Sequence, residues 1–317
     1  MMNLQRASIF IIPFLGLMTS SCFTGIESTK RIEMSKVEKK ISAPSPEESM
    51  LADIVPLPLG KWKVGKAFLC TDNRLSFLLE PSQLSSELNP KGQHLIFTGV
   101  STKTAPDGSI QAIIKFNIPE KNIDVSYKTG KDIEDALSSL LSSQIPMLTD
   151  LDMVAQADSI LRGRHLFTLS NLWYDDHDTR IHGLRYVEVV IDSVVPSLSG
   201  FPLKTYFSLS SHHDNNYPSS AGMFLNFGYS GFDSRSLPSL FSQSDIRKKY
   251  PSISSRIWEL IYRGEVAEGM TKTECKLSLG NPSEVLPTHD YSRTIDLWQY
   301  PDGVVLRFDD GVLVNYR

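Results

Sequence analysis

Apolar and polar residues alternate over Ile110, Ala112, Ile114, Phe116 and Ile118, and a period of two places such residues on one face of a β-strand. Similar short runs extend from Leu57 to Tyr127, with Ala105-Pro106-Asp107-Gly108 as a turn signal. Ile133, Leu137, Leu140 and Leu141 then fall at helical spacing until Pro146 ends the pattern. Period two returns over Leu184 to Val195, over Leu203, Thr205, Phe207 and Leu209, and over Met223, Leu225 and Phe227. These runs predict two tandem small β-rich units, sandwich- or barrel-like, over residues 57–150, with a trailing helix, and 151–250. Gly65-Lys66 and Gly163-Arg164 open the units alike, and Gly108 with Ile114-Lys115-Phe116 is echoed by Gly200 with Leu203-Lys204 and Phe207. Repeat and coincidence both account for that echo.

From Pro251 the pattern changes. Ile253, Ile257, Leu260 and Ile261 form an apolar helical face, with Gly264 as its stop. Thr271 and Glu274 have the spacing of a capping box, which starts a second short helix; Gly280, followed by Asn281-Pro282, ends it. Three strands are predicted over Thr294–Tyr300, Val304–Asp309 and Val312–Tyr316, joined by Pro301-Asp302-Gly303 and Asp309-Asp310-Gly311. Trp298 and Tyr300 share one face and Phe308 lies on the next strand, so all three are expected against the helices. The whole is predicted to be mainly β with a C-terminal α+β module, ordered α-α-β-β-β, over residues 251–317.

At the other end, Arg6 precedes an apolar run from Ile9 to Met18, interrupted by Pro13. A membrane-spanning helix needs roughly twenty residues, so this run reads as the core of an export signal. Thr19-Ser20-Ser21-Cys22 then resembles the bacterial lipobox. The resemblance implies a lipoprotein signal peptide over residues 1–21 and lipidation of Cys22, which would anchor the chain in a membrane. Residues 22–56 are rich in Lys, Glu, Ser and Pro and read as a flexible tether. Some thirty residues of coil span on the order of 30 Å.

The C-terminal pattern also resembles a known family. Gly269-Met270-Thr271, Glu274, Leu279-Gly280-Asn281-Pro282, Trp298-Gln299-Tyr300 and Phe308-Asp309-Asp310-Gly311-Val312-Leu313 are similar to the SmpA/OmlA family of small outer-membrane lipoproteins, typified by the BamE component of the β-barrel assembly machinery. This resemblance implies a non-enzymatic interaction domain, lipid-anchored at the outer membrane, facing the periplasm and binding envelope or outer-membrane proteins. A periplasmic ligand-binding or inhibitor protein is the alternative, and a metal-assisted envelope hydrolase ranks third.

The full chain of 317 residues carries a formal charge of −4. It shows no Lys/Arg stripe interleaved with aromatics, so nucleic acid is not an expected partner. Beyond Cys22 only Cys70 and Cys275 remain; they are far apart in sequence and are expected to be buried free thiols. Asp175, Asp176, His177, Asp178 and His182 combine oxygen and nitrogen donors that could hold a divalent metal. The same residues suit the polar tip of a hairpin, where Asp bonds the local backbone. His212-His213-Asp214, in a run of Ser, Asn and Pro, reads as an exposed loop. Phosphate-cradling glycine loops, nucleophile elbows and His-Glu-x-x-His pairs do not occur in the sequence. No catalytic residue and no cofactor is expected.

Overall fold

Within the stretch expected to be a tether, Ser45 opens a helix. Ser45 Oγ accepts from Glu48 N at 3.0 Å while Glu48 returns a carboxylate to Ser45 N, a reciprocal cap that starts α1 (Pro46–Met50). Leu51 and Ile54 are buried, and Glu47 Oε1 accepts from Gln243 N at 2.7 Å, so residues 45–54 belong to the folded body. The computed structural model describes residues 45–80, 89–105, 108–210, 217–227, 234–290 and 293–317. The export signal, Cys22, most of the expected tether, Pro106, Asp107, His212, His213 and Asp214 lie outside these residues.

The described chain is mainly β, in curled antiparallel sheets. The first sheet contains β1 (Ala67–Cys70), β2 (Leu79–Glu80), β3 (His94–Thr104), β4 (Ile110–Ile118), β5 (Ile123–Asp132) and β6 (Leu148–Asp150), in the order β2-β5-β4-β3-β1-β6. Alternation on β4 turns Ala112, Ile114, Phe116 and Ile118 inward, where they are fully buried; Ile110, at the strand's start, stays exposed. Phe68 meets Phe116 edge-on at 5.9 Å, and Leu59, Trp62, Leu75 and Phe97 complete this core. The trailing helix α2 (Ile133–Ser139) is capped by Asp132 and buries Ala136 rather than Leu137.

Residues 151–161, read as part of a β-rich unit, form a helix instead, α3 (Leu151–Leu161). Asp150 caps it and also receives the buried Lys66 ammonium at 2.6 Å, which joins the first sheet to the helix start. Met153, Val154, Ala157 and Leu161 turn inward against the second sheet. That sheet contains β7 (His165–Thr168), β8 (Leu172–Tyr174), β9 (Arg180–His182), β10 (Glu188–Pro196), β11 (Leu203–Leu209), β12 (Ser220–Leu225) and β13 (Phe241–Ser242), in the order β13-β7-β10-β11-β12-β8-β9. The four-residue helix α4 (Leu237–Leu240) leads into β13.

Read from the other edge, the second sheet repeats the first strand for strand, with β9 added. The details coincide as well. Gly65 N donates to Phe97 O at 2.9 Å and Phe97 N to Lys66 O at 2.8 Å; Gly163 N donates to Ile191 O at 2.7 Å and Ile191 N to Arg164 O at 3.0 Å. Both glycines have positive φ, +93° and +76°, which side chains rarely tolerate. Each long strand carries a bulge just after this contact, at Thr98 and at Asp192, and the residues opposite are Phe116 and Phe207. The Gly-Lys/Gly-Arg openings therefore occupy equivalent places. Lys115 and Lys204 do not: Lys115 corresponds to Tyr206, and Lys204 to Ile113.

The C-terminal part contains α5 (Ser255–Arg263), α6 (Lys272–Leu279) and an antiparallel sheet of four strands, not three: β14 (Glu284–Asp290), β15 (Arg293–Gln299), β16 (Val305–Asp309) and β17 (Val312–Tyr316). The additional strand holds Pro287 and lies at the sheet edge, where a missing N–H is tolerated. On α5 the buried residues are Trp258, Ile261 and Tyr262, so the inward face is rotated from the expected Ile257 and Leu260, which are half-buried. Residues 251–317, expected as a separate module, share one hydrophobic core with residues 151–250: Tyr186 meets Trp258 edge-on at 6.3 Å, Tyr186 OH donates to Leu277 O, and Arg185 N donates to Tyr262 O at 2.9 Å.

Candidate functional site

The residues that carry the C-terminal signature stitch the start of α6 to the end of the sheet. Gly269 N donates to Leu313 O at 2.8 Å, Leu313 N donates to Met270 O at 2.8 Å, and the Met270 side chain is fully buried. Thr271 caps α6: Thr271 N donates to Glu274 Oε2 at 2.7 Å, and Glu274 N to Thr271 Oγ1 at 3.3 Å. Lys272 pairs with Asp296 on β15. Gly280, at the end of α6, offers its carbonyl to Tyr300 OH at 3.2 Å, with Pro282 just beyond. Trp298, Tyr300 and Phe308 are buried, with Trp298 and Phe308 ring centroids 4.6 Å apart. Cys275 is also buried beneath them, and burial pushes its thiol up to about 12. Cys70 is likewise buried and free. Met270, Cys275, Trp298, Tyr300 and Phe308 hold the module together and face away from solvent, while the Thr271 cap lies at the surface.

What the module presents outward is the opposite face of the same sheet. Cross-strand register aligns Leu286 with Leu297, Arg307 and Asn315 in one row, Glu284, Gln299 and Val305 in a second, and Ile295, Asp309 and Val312 in a third. This face mixes Leu286, Ile295, Leu297, Val305 and Val312 with polar Glu284, Gln299 and Asn315, and Arg307 Nε donates to Asp309 Oδ1 at 3.2 Å across it. Of the thirteen large hydrophobic residues exposed among the described residues, Leu286 and Val312 lie on this face, whereas Val285 and Tyr316, opposite Trp298 and Leu306, edge the helix-facing side. Single exposed hydrophobic residues are ordinary, whereas apolar residues from four adjacent strands that share one outward face form a candidate contact surface. Sequence reading singled out the buried residues and missed these. The available signal was Val312-Leu313-Val314, a strand apolar on both faces in a sheet with helices on only one.

The acidic-histidine segment is the turn between β8 and β9. Asp175 Oδ1 accepts from His177 N at 2.9 Å and Thr179 N at 2.8 Å, and these backbone bonds hold its carboxyl below the usual range. Asp178 receives the Lys204 ammonium at 2.5 Å and the Ser199 hydroxyl at 2.7 Å. Burial alone would raise the Asp178 carboxyl, but those two donors overcome it and keep it low. Lys204 also donates to Asp175 O at 2.7 Å, and it crosses Gly222 so closely that a Cβ there would lie 2.7 Å from Lys204 Cε. His182 turns away, its Nε2 sitting 2.8 Å from Arg263 O. Asp176 lies in the exposed turn. The segment thus clasps a buried lysine, and no three His, Cys, Asp or Glu among the described residues are grouped to hold a metal ion.

No helix among the described residues is long and apolar enough to cross a membrane. No family model matches this chain, and neither any curated protein nor any solved structure matches it.

Proposed function

We propose that this chain is a non-catalytic bacterial envelope lipoprotein, held at the outer membrane by a lipid on Cys22, whose C-terminal sheet binds another envelope protein. The observation that carries the reading is the outward face of β14–β17, where Leu286, Ile295, Leu297, Val305 and Val312 stand among polar residues that include the Arg307–Asp309 pair. A face of this kind suits the recognition of a protein surface: apolar residues supply burial, and one ion pair fixes orientation. The helix-helix-sheet order and the Gly269-Met270-Thr271 to Phe308 signature support an SmpA/OmlA-like module, and the sequence before Cys22 supports lipid anchoring. On this reading the module serves outer-membrane protein assembly or envelope integrity as an accessory scaffold.

The test is in cells. Cys22→Ser should move the protein from the membrane pellet to the soluble envelope fraction, because stable anchoring needs two or more acyl chains. A photo-crosslinking side chain at Leu286 or Val312 should trap an envelope protein, whereas one at exposed Val64, outside the C-terminal sheet, should not. Retention of the Cys22→Ser protein in the pellet would refute the anchor, and equal crosslinking from both places would refute the surface.

A further inference from the structure

The two repeated sheets place equivalent residues on their outward faces but fill them with different chemistry. In the second sheet this face is closed by its own side chains. Tyr174 packs on Phe224 with centroids 4.5 Å apart, and Phe201 stacks on Phe224 at 5.6 Å and 23°. Lys204 Nζ lies 5.6 Å from the Phe224 centroid, and the Arg235 guanidinium lies 5.0 Å from that of Phe201. A flat ring held between aromatic and cationic neighbours therefore occupies the slot.

Register carries three of these positions to the first sheet. Glu80 stands where the second sheet has Tyr174, Lys128 where it has Phe224, and Ile113 where it has Lys204. There the face is open: Ile113 and Gln111 floor a depression of about 370 Å³, walled by Lys103, Thr104, Ala105 and Lys128. Its volume is within the range of about 300–1,000 Å³ seen for small-molecule sites. Glu80 pairs with both wall lysines, with Lys128 directly and with Lys103 Nζ at 3.2 Å. Contact with Lys128 first, then with Lys103, keeps the Glu80 carboxyl ionised below its usual range. A carboxylate thus already lies between two ammonium groups, and the Lys128 stem beside Ile113 stands where the other repeat has Phe224, the residue on which Phe201 stacks.

We propose that this depression binds a small aromatic carboxylate, whose anion takes the place of Glu80 between Lys103 and Lys128 and whose ring lies on the Lys128 stem beside Ile113, as Phe201 lies on Phe224 in the second repeat. Lysine fits both halves of such a ligand, since its ammonium pairs with the anion and its methylene stem covers the ring.

The probe is 1-naphthoate, titrated into the full chain and followed by its fluorescence. Saturable one-to-one binding is expected, weakened tenfold or more in the Lys103→Gln/Lys128→Gln protein and tightened about threefold in Glu80→Gln, since each factor of ten corresponds to about 1.4 kcal/mol. Lys115→Gln, on the same face but outside the depression, should bind as the parent does. 1-Naphthylmethylamine, with the same ring and opposite charge, should not bind. Both wall lysines are half-exposed, so the double variant should melt with the parent. No saturable binding, equal binding of the amine, unchanged affinity in the double variant, or weaker binding in Glu80→Gln would each overturn the proposal.

Discussion

Lys204 shows how a residue chosen for one reason serves another. Only 3% of its side chain is exposed, and the ammonium is stabilised there by Asp178, the Asp175 carbonyl and the rings of Tyr206 and Phe224. Asp178→Asn removes the charge partner while keeping the shape. It should cost about 1.5–3 kcal/mol, the range for a hydrogen bond to a charged group, read as a lower urea midpoint at pH 7. A histidine substitution at Asp176, which lies in the exposed turn, should change little. Cys275 sets a limit at the other end of the pH scale. Burial raises its thiol from about 9 when unfolded to about 12 when folded, so the stability it contributes is present below pH 9 and falls as pH rises from 9 towards 12. Tyr300, raised to about 12 by burial and by Cys275, titrates in the same direction. Melting temperature should therefore decline between pH 9 and 12, less steeply in Cys275→Ala once its own loss of packing at pH 7 is subtracted.

Among elements, the caps are the parts whose contribution can be isolated. Thr271→Ala deletes the hydroxyl that receives Glu274 N and should destabilise the protein by about 0.5–2 kcal/mol by chemical denaturation, without disturbing the outward sheet face. That cap was legible in the sequence because its two partners are three residues apart. The β4 strand was legible too, since five apolar residues alternate over Ile110 to Ile118. α3 was open to reading as well, since Met153, Val154, Ala157 and Leu161 keep helical spacing after the Asp150 cap; the strand runs that follow drew the whole segment into a β-rich unit. β14 escaped because Pro287 argues against a strand unless the strand lies at an edge, and edge position is a property of the assembled sheet. The inward turn of α5 onto Trp258 and Tyr262 was equally hidden, because the second sheet determines which side of that helix is covered.

At the scale of the whole molecule, the described residues from 45 onward form one compact unit with two cores, one inside the first sheet and one shared by α1, α3, the second sheet and the C-terminal module. Sequence reading found the two β-rich units but divided the second core at residue 250, since packing between distant segments leaves no local signature. A consequence follows for dissection. A fragment of residues 251–317 loses the partners of Trp258, Tyr262 and Leu277. It should show no cooperative thermal transition, whereas residues 45–317 should melt in one or two sharp steps. The candidate surface was hidden for a related reason: which of two apolar faces stays open depends on where the helices lie.

The proposed contact with an envelope protein through the outward face of the C-terminal sheet is open to a direct test. Its most direct measurement is affinity capture from envelope extract with the full chain and with the Leu286→Glu/Val312→Glu protein, each side chain already exposed in the fold. The double variant should melt within about 1 kcal/mol of the parent, as surface changes do, and lose the envelope proteins that the parent retains. Retention of the same proteins at the same yield by both would place the contact away from this sheet.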